Sequence, residues 1–113
     1  NYRIGKDFYK VVDLISESND NILQKNYEIL IDRYDQLKLQ TTQKEVLYNF
    51  NEGKIMFKPT YRWERNKNTV SNKREQAPSY CDRILYKSLP NTFDLWQESY
   101  LSSPLCYGSD HRP

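Results

Sequence analysis

Ala77-Pro78-Ser79-Tyr80-Cys81-Asp82-Arg83-Ile84-Leu85 is the stretch on which the reading of this chain turns. Across residues 81–87, Cys81, Arg83, Leu85 and Lys87 alternate with Asp82, Ile84 and Tyr86, and this two-residue period predicts a strand. Immediately upstream, residues 64–76 have no apolar side chain except Val70 and carry Asn66, Asn68 and Asn72, which predicts an exposed loop. Further back, Thr60-Tyr61-Arg62-Trp63 has the β-branched and aromatic content of another strand, and Ile55-Met56-Phe57 is a short apolar run ended by Pro59. Downstream, residues 93–100 form a further strand candidate.

The first fifty residues follow a different grammar. Asp7 is placed as a helix N-cap ahead of Phe8, Val11, Val12 and Ile15. After a polar break at 16–21, a second pattern from Asp20 sets Leu23, Tyr27, Leu30, Tyr34 and Leu37 at alternating steps of four and three. Such a stripe faces a core in most soluble domains, and packing is the reading adopted for it. Residues 42–48 could extend as a short helical turn, with Gly53 supplying the turn after it. Helices come first and strands later, without internal repeats, so neither half closes a sheet by itself.

Composition narrows the function classes. At 113 residues the chain is one domain at most, and a net charge of +2 excludes a partner held by bulk charge alone. No apolar run exceeds three residues, which excludes a membrane-spanning helix. Cys81 and Cys106 with a single His cannot supply the four ligands of a structural zinc site, and a reducing compartment is expected. Charge is unevenly placed: residues 54–74 hold Lys54, Lys58, Arg62, Arg65, Lys67, Lys73 and Arg74 against Glu64 alone, a local +6. Most charge runs are solvated loops. This one interleaves Arg62 with Tyr61 and Trp63, and Arg forks suit phosphate oxygens, so it is also a candidate anion site. The start at Asn1 and the stop at Pro113 give both ends a cut look.

Four ordered segments carry a resemblance: Asn1-Tyr2-Arg3, then Glu52-Gly53-Lys54-Ile55-Met56-Phe57-Lys58-Pro59-Thr60-Tyr61-Arg62, then the 77–85 stretch, then Ser109-Asp110-His111-Arg112-Pro113. Together they closely resemble the inositol polyphosphate 5-phosphatases, which belong to the magnesium-dependent DNase-I-like phosphoesterases. The resemblance runs from the first residue to the last. It implies an α/β chain that is part of a DNase-I-like four-layer sandwich, two mainly antiparallel sheets flanked by helices. It further implies that residues 1–113 are the C-terminal portion of such a catalytic domain, without the upstream half that holds the metal-binding Glu and the general-base Asp.

The resemblance also implies roles. Asn1 matches the residue that contacts the scissile phosphate or the attacking water. His111 matches the catalytic His, Asp82 the carboxylate that orients its ring, and Asp110 a carboxylate close to Mg²⁺ and the catalytic water. Tyr61 and Arg62 match the pair that contacts the neighbouring ring phosphate. Arg74 stands where the third motif has its Lys, and Gln76 replaces that motif's Arg, with Lys73 or Arg74 available to supply charge nearby. Tyr80 replaces the usual Trp. Arg83 and Arg3 are motif positions that would serve equally as structural ion-pair partners, and Cys81 is expected to be buried packing. The implied activity is Mg²⁺-dependent removal of the 5-phosphate from inositol polyphosphates or phosphoinositides, with direct hydrolysis by water and the isolated 113 residues inactive. Its implied partners are inositol phosphates or phosphoinositide headgroups at a membrane surface, with no nucleic acid, and its implied location is cytoplasmic, peripheral at membranes. Two other readings share these features: a nuclease of the same superfamily, and a non-catalytic phosphoinositide-binding module.

Overall fold

Three helices open the chain in the computed structural model, which describes residues 6–44, 46–91 and 95–113. Helix α1, Lys6–Ile15, places Asp7 inside its first turn rather than at the N-cap, where a carboxylate still complements the helix dipole. Helix α2, Asp20–Tyr34, begins at the residue the periodicity marks, because the Asn19 side chain accepts from the backbone N–H groups of Asn21 and Ile22. The single apolar stripe is cut at Asp35. That residue ends α2 in an extended conformation and caps helix α3, Gln36–Thr42, by accepting from Lys38 N–H. The Asn26 amide donates to the Leu14 carbonyl at 2.9 Å and pins α2 against α1.

Val11 and Ile15 of α1 and Tyr27 and Leu30 of α2 pack against Ile55, Phe57, Ala77, Tyr80 and Tyr100 in one core. Phe57 meets Tyr80 and Tyr100 edge to face, with ring centres 5.8 and 5.3 Å away. The expected turn at Gly53 falls earlier, where Phe50 N–H bonds to the Leu47 carbonyl and Asn49 takes a left-handed φ of 63°. At Gly53 the closest neighbours of an added Cβ are the atoms of the terminal amide of the exposed Gln97 side chain, which is free to move aside.

The strands expected at 60–63 and 81–87 do not form ladders. Among the described residues the extended segments meet as isolated antiparallel bridges, Asn51 with Tyr86, Tyr61 with both Ser79 and His111, and Trp63 with Val70. The strand candidate at 93–100 lies partly outside the described residues. The physical reason can be read in segment 81–87, where side chains take the donors that a ladder would use. The N–H groups of Cys81 and Asp82 both go to Thr60 Oγ1, and that of Ile84 goes to the Tyr100 hydroxyl. Exposure does not alternate along the segment either, since Cys81, Ile84 and Lys87 are exposed while Arg83 between them is turned inward.

Arg83 fastens these segments to the helices. Its guanidinium meets Glu52 through two bonds of 2.6 Å and Asp35 through a third of 2.7 Å, with its own side chain only 7% exposed. Burial works against the charge, but the hydrogen bonds and charges of Glu52 and Asp35 outweigh it and hold the group far above its ordinary range. Tyr100 adds a 2.8 Å hydroxyl bond to Glu52. Arg83 is thus an ion-pair partner of the framework. Removing one member of such a group leaves buried charge uncompensated, so Arg83→Met should lower unfolding free energy by about 3–5 kcal/mol. Combining it with Asp35→Asn and Glu52→Gln should recover a large part of that loss in urea denaturation. A single-variant loss below about 1 kcal/mol would contradict the role.

Candidate active site

Thr60 organises the site although its type carries no chemical signal. Its hydroxyl oxygen accepts from the backbone N–H groups of Cys81 and Asp82, each at 3.1 Å, and its carbonyl accepts from Arg112 N–H at 2.7 Å. At 1% exposure it joins the segment bearing Asp82 to the segment bearing His111. Tyr61 continues the join with two backbone bonds to Ser79, and Trp63 N–H reaches the Asp110 carbonyl at 2.8 Å. Three segments far apart in sequence are therefore held edge to edge.

On that frame His111 Nδ1 stands 2.9 Å from Asp82 Oδ2, with the two side chains 41% and 37% exposed. The carboxylate accepts from Nδ1–H, so that proton is fixed and Nε2 is the nitrogen left for another partner. The Tyr61 ring lies 4.7 Å from the His111 ring, tilted by 43°. Arg62 Nε lies 3.7 Å from Asp110 Oδ2, an ion pair too long for a hydrogen bond, and its guanidinium carbon is 6.0 Å from the Tyr61 ring centre. Ser109 Oγ accepts from His111 N–H at 3.1 Å and shapes the turn that presents the ring. Asp82, Asp110, His111, Tyr61 and Arg62 thus form one cluster that opens to solvent.

Lys73 and Arg74 occupy an exposed 3₁₀ turn, Lys73–Glu75, and no hydrogen bond or ion pair joins them to this cluster among the described residues. Asn1 and Arg3 lie outside the described residues. Cys81 is exposed rather than buried, with Sγ 3.2 Å from Ser79 Oγ. Its neighbour Tyr80 takes the inward position instead, 6% exposed, and donates its hydroxyl to the Phe57 carbonyl at 2.7 Å. Sequence reasoning missed Thr60 as a positioning residue and Arg112 as a buried one. A β-branched residue before an aromatic reads as a strand former, and only the fold brings residues 81 and 82 to its hydroxyl.

The family described as Endonuclease/Exonuclease/phosphatase family 2 matches residues 1–113. The chain belongs to that family. Within it, the chain is 36% identical over 121 aligned residues to human phosphatidylinositol 3,4,5-trisphosphate 5-phosphatase 2, covering 100% of this chain and 9% of that protein. It is 35% identical over 115 residues to mouse type II inositol 1,4,5-trisphosphate 5-phosphatase, covering 100% of this chain and 10% of the relative. The chain thus spans about a tenth of the length of these curated relatives. Among solved structures, the ferrous NO complex of Cimex nitrophorin superposes with a TM-score of 0.76 at 28% identity, over 97% of this chain and 35% of that one. Family and neighbour together support an α/β fold. One backbone that also serves a ferrous NO complex leaves function to be argued from the side chains.

Because two backbone donors depend on one hydroxyl, Thr60→Val keeps shape but strands them. It should cost about 1–3 kcal/mol in urea unfolding, whereas Thr60→Ser keeps the acceptor and should cost no more than about 1 kcal/mol. Equal losses in the two variants would show that the hydroxyl plays no part.

Proposed function

We propose that these residues are the C-terminal portion of the catalytic domain of a Mg²⁺-dependent inositol polyphosphate or phosphoinositide 5-phosphatase. The observation that carries this is the His111–Asp82 pair beside Tyr61 and Arg62, in a chain whose relatives of known name are 5-phosphatases. The domain would be a DNase-I-like four-layer sandwich. In support, the chain covers 35% of the superposed neighbour, and Trp96, Leu101 and Leu105 stand 81%, 78% and 76% exposed, as side chains covered by further layers would.

The chemistry asked of the site is in-line attack of water on a phosphomonoester, with charge developing on the phosphoryl oxygens. His111 Nε2 faces that charge while Asp82 holds the ring by its other nitrogen. Tyr61 and Arg62 bind the adjacent ring phosphate, Arg62 being kept in place by Asp110. Lys73 and Arg74 supply further positive charge from their exposed turn, and Asn1 positions phosphate or water. Asp110 is the oxygen ligand this chain would offer to Mg²⁺, which takes one or two carboxylates and retains waters. When bound, that ion supplies Lewis-acid stabilisation of the phosphoryl oxygens. Among the described residues no group of three or more His, Cys, Asp and Glu side chains could hold an ion, so Asp110 fits as one ligand of a set completed elsewhere. For the same reason the isolated 113 residues are expected to be inactive. No helix among the described residues is long and apolar enough to cross a membrane. The reading as a 5-phosphatase carries with it a cytoplasmic location, with a lipid substrate met at the membrane surface.

In the full-length protein, His111→Ala should lower Mg²⁺-dependent phosphate release by about 10²–10⁴-fold, the usual worth of a positioned proton-carrying side chain. Unchanged turnover would overturn the assignment, and headgroup binding without turnover in the unaltered protein would favour a non-catalytic module. Tyr61→Ala/Arg62→Ala should weaken substrates bearing the adjacent phosphate more than substrates lacking it. Equal loss on both substrates would refute the recognition role.

A further inference from the structure

Arg112, next in the chain to His111, is an isolated buried cation. It is 2% exposed, and its guanidinium lies between two rings, 5.0 Å from the centre of Trp63 and 5.2 Å from that of Tyr107. Nη1 donates to the Ser109 carbonyl at 3.0 Å and Nη2 to the Lys67 carbonyl at 2.8 Å. Nε is buried and has no hydrogen-bond partner among the described residues, nor does any carboxylate there pair with the group. Two carbonyls and two ring faces offset a full charge only in part, and a buried guanidinium without an anion is costly.

The same side chain forms part of the wall of a cavity of about 270 Å³. Lys58, Asn68, Ser102 and Tyr27 line it too, with the Trp63 ring, and no Asp or Glu is among the described lining residues. Burial, with the charge of Asp20 behind it, raises the Tyr27 phenol above its ordinary range. The Lys58, Asn68, Ser102 and Tyr27 side chains bring an ammonium, an amide and hydroxyls to one space, and the buried charge of Arg112 stands behind its wall, a combination that selects an anion. The volume is below that of pockets for drug-sized ligands and suits a small ion.

We propose that this cavity is a second phosphate-binding site, separate from the one at His111, which takes free phosphate through Lys58, Asn68 and Ser102 over the buried charge of Arg112. Its occupant would load the residue whose backbone N–H bonds to Thr60 and whose side chain holds Ser109, and so would stiffen the turn that presents His111. The ion is therefore a regulator of the catalytic turn rather than a substrate.

Trp63 is a reporter within the wall, since its indole N–H donates to the Pro59 carbonyl at 2.9 Å. The full-length protein carrying His111→Ala would be titrated with inorganic phosphate, with chloride at matched ionic strength as control, while the ¹⁵N indole resonance of Trp63 is followed. A saturable shift with phosphate alone is expected, and Lys58→Glu and Asn68→Leu, two folded-state-independent routes to the same loss, should each weaken it by about tenfold or more. A shift that chloride reproduces, or one untouched by both variants, would mean an ionic-strength effect or binding at the His111 site and would overturn the proposal. No saturable shift would mean a cavity holding water only, and would overturn it as well. Vesicles of phosphatidylcholine containing phosphatidic acid form the second arm, and a response to them without one to inorganic phosphate would overturn the free-ion proposal in favour of a lipid headgroup.

Discussion

A buried guanidinium answered by two carboxylates from different parts of the chain is the constraint on which this structure rests. Arg83 takes Glu52 from the segment leading into the Phe57 core and Asp35 from the junction of two helices. Asp35 has already committed one oxygen to capping α3 and uses the other for Arg83, so helix geometry and site geometry share an atom pair. Among the described residues these segments meet at isolated bridges rather than ladders, and position is passed along by side chains. Arg83 fixes the 81–86 segment, Thr60 then fixes Asp82, and Asp82 meets His111.

This dependence explains which parts of the molecule could be read in advance. Helices are local, and the start of α2 follows from Asn19 and an apolar repeat that any neighbour can satisfy. The break at Asp35 was invisible because the repeat itself runs on through Leu37, and what stops it is an ion pair to a residue 48 positions away. Strand expectations failed for a related reason. Alternation of residue types over 81–87 is not matched by alternating exposure, and it is silent on whether N–H groups meet a backbone or a hydroxyl.

Site residues divide in the same way. Asp82, Asp110, His111, Tyr61 and Arg62 stood out through their motif context, and the fold brings them into one cluster. Arg83 could be read as framework or site until its two carboxylates were located. Thr60 and Arg112 lie within the motif segments but no chemistry marks them there, because their importance consists of what non-local backbone they touch. Lys73 and Arg74 show the opposite: charge is plain in the sequence, while the absence of a hydrogen bond or ion pair to the cluster among the described residues is a property of the fold.

Tyr61 sits between Ser79 on one side and His111 on the other, and beside it the Asp82–His111 pair links positions 29 apart. Loop closure of that kind is costly before its contacts form, whereas the helices close on neighbours in sequence. Loss of those non-local contacts alone would remove the chemistry and leave the helices, and far-ultraviolet dichroism would then report an intact fold in a molecule whose His111 no longer has a partner.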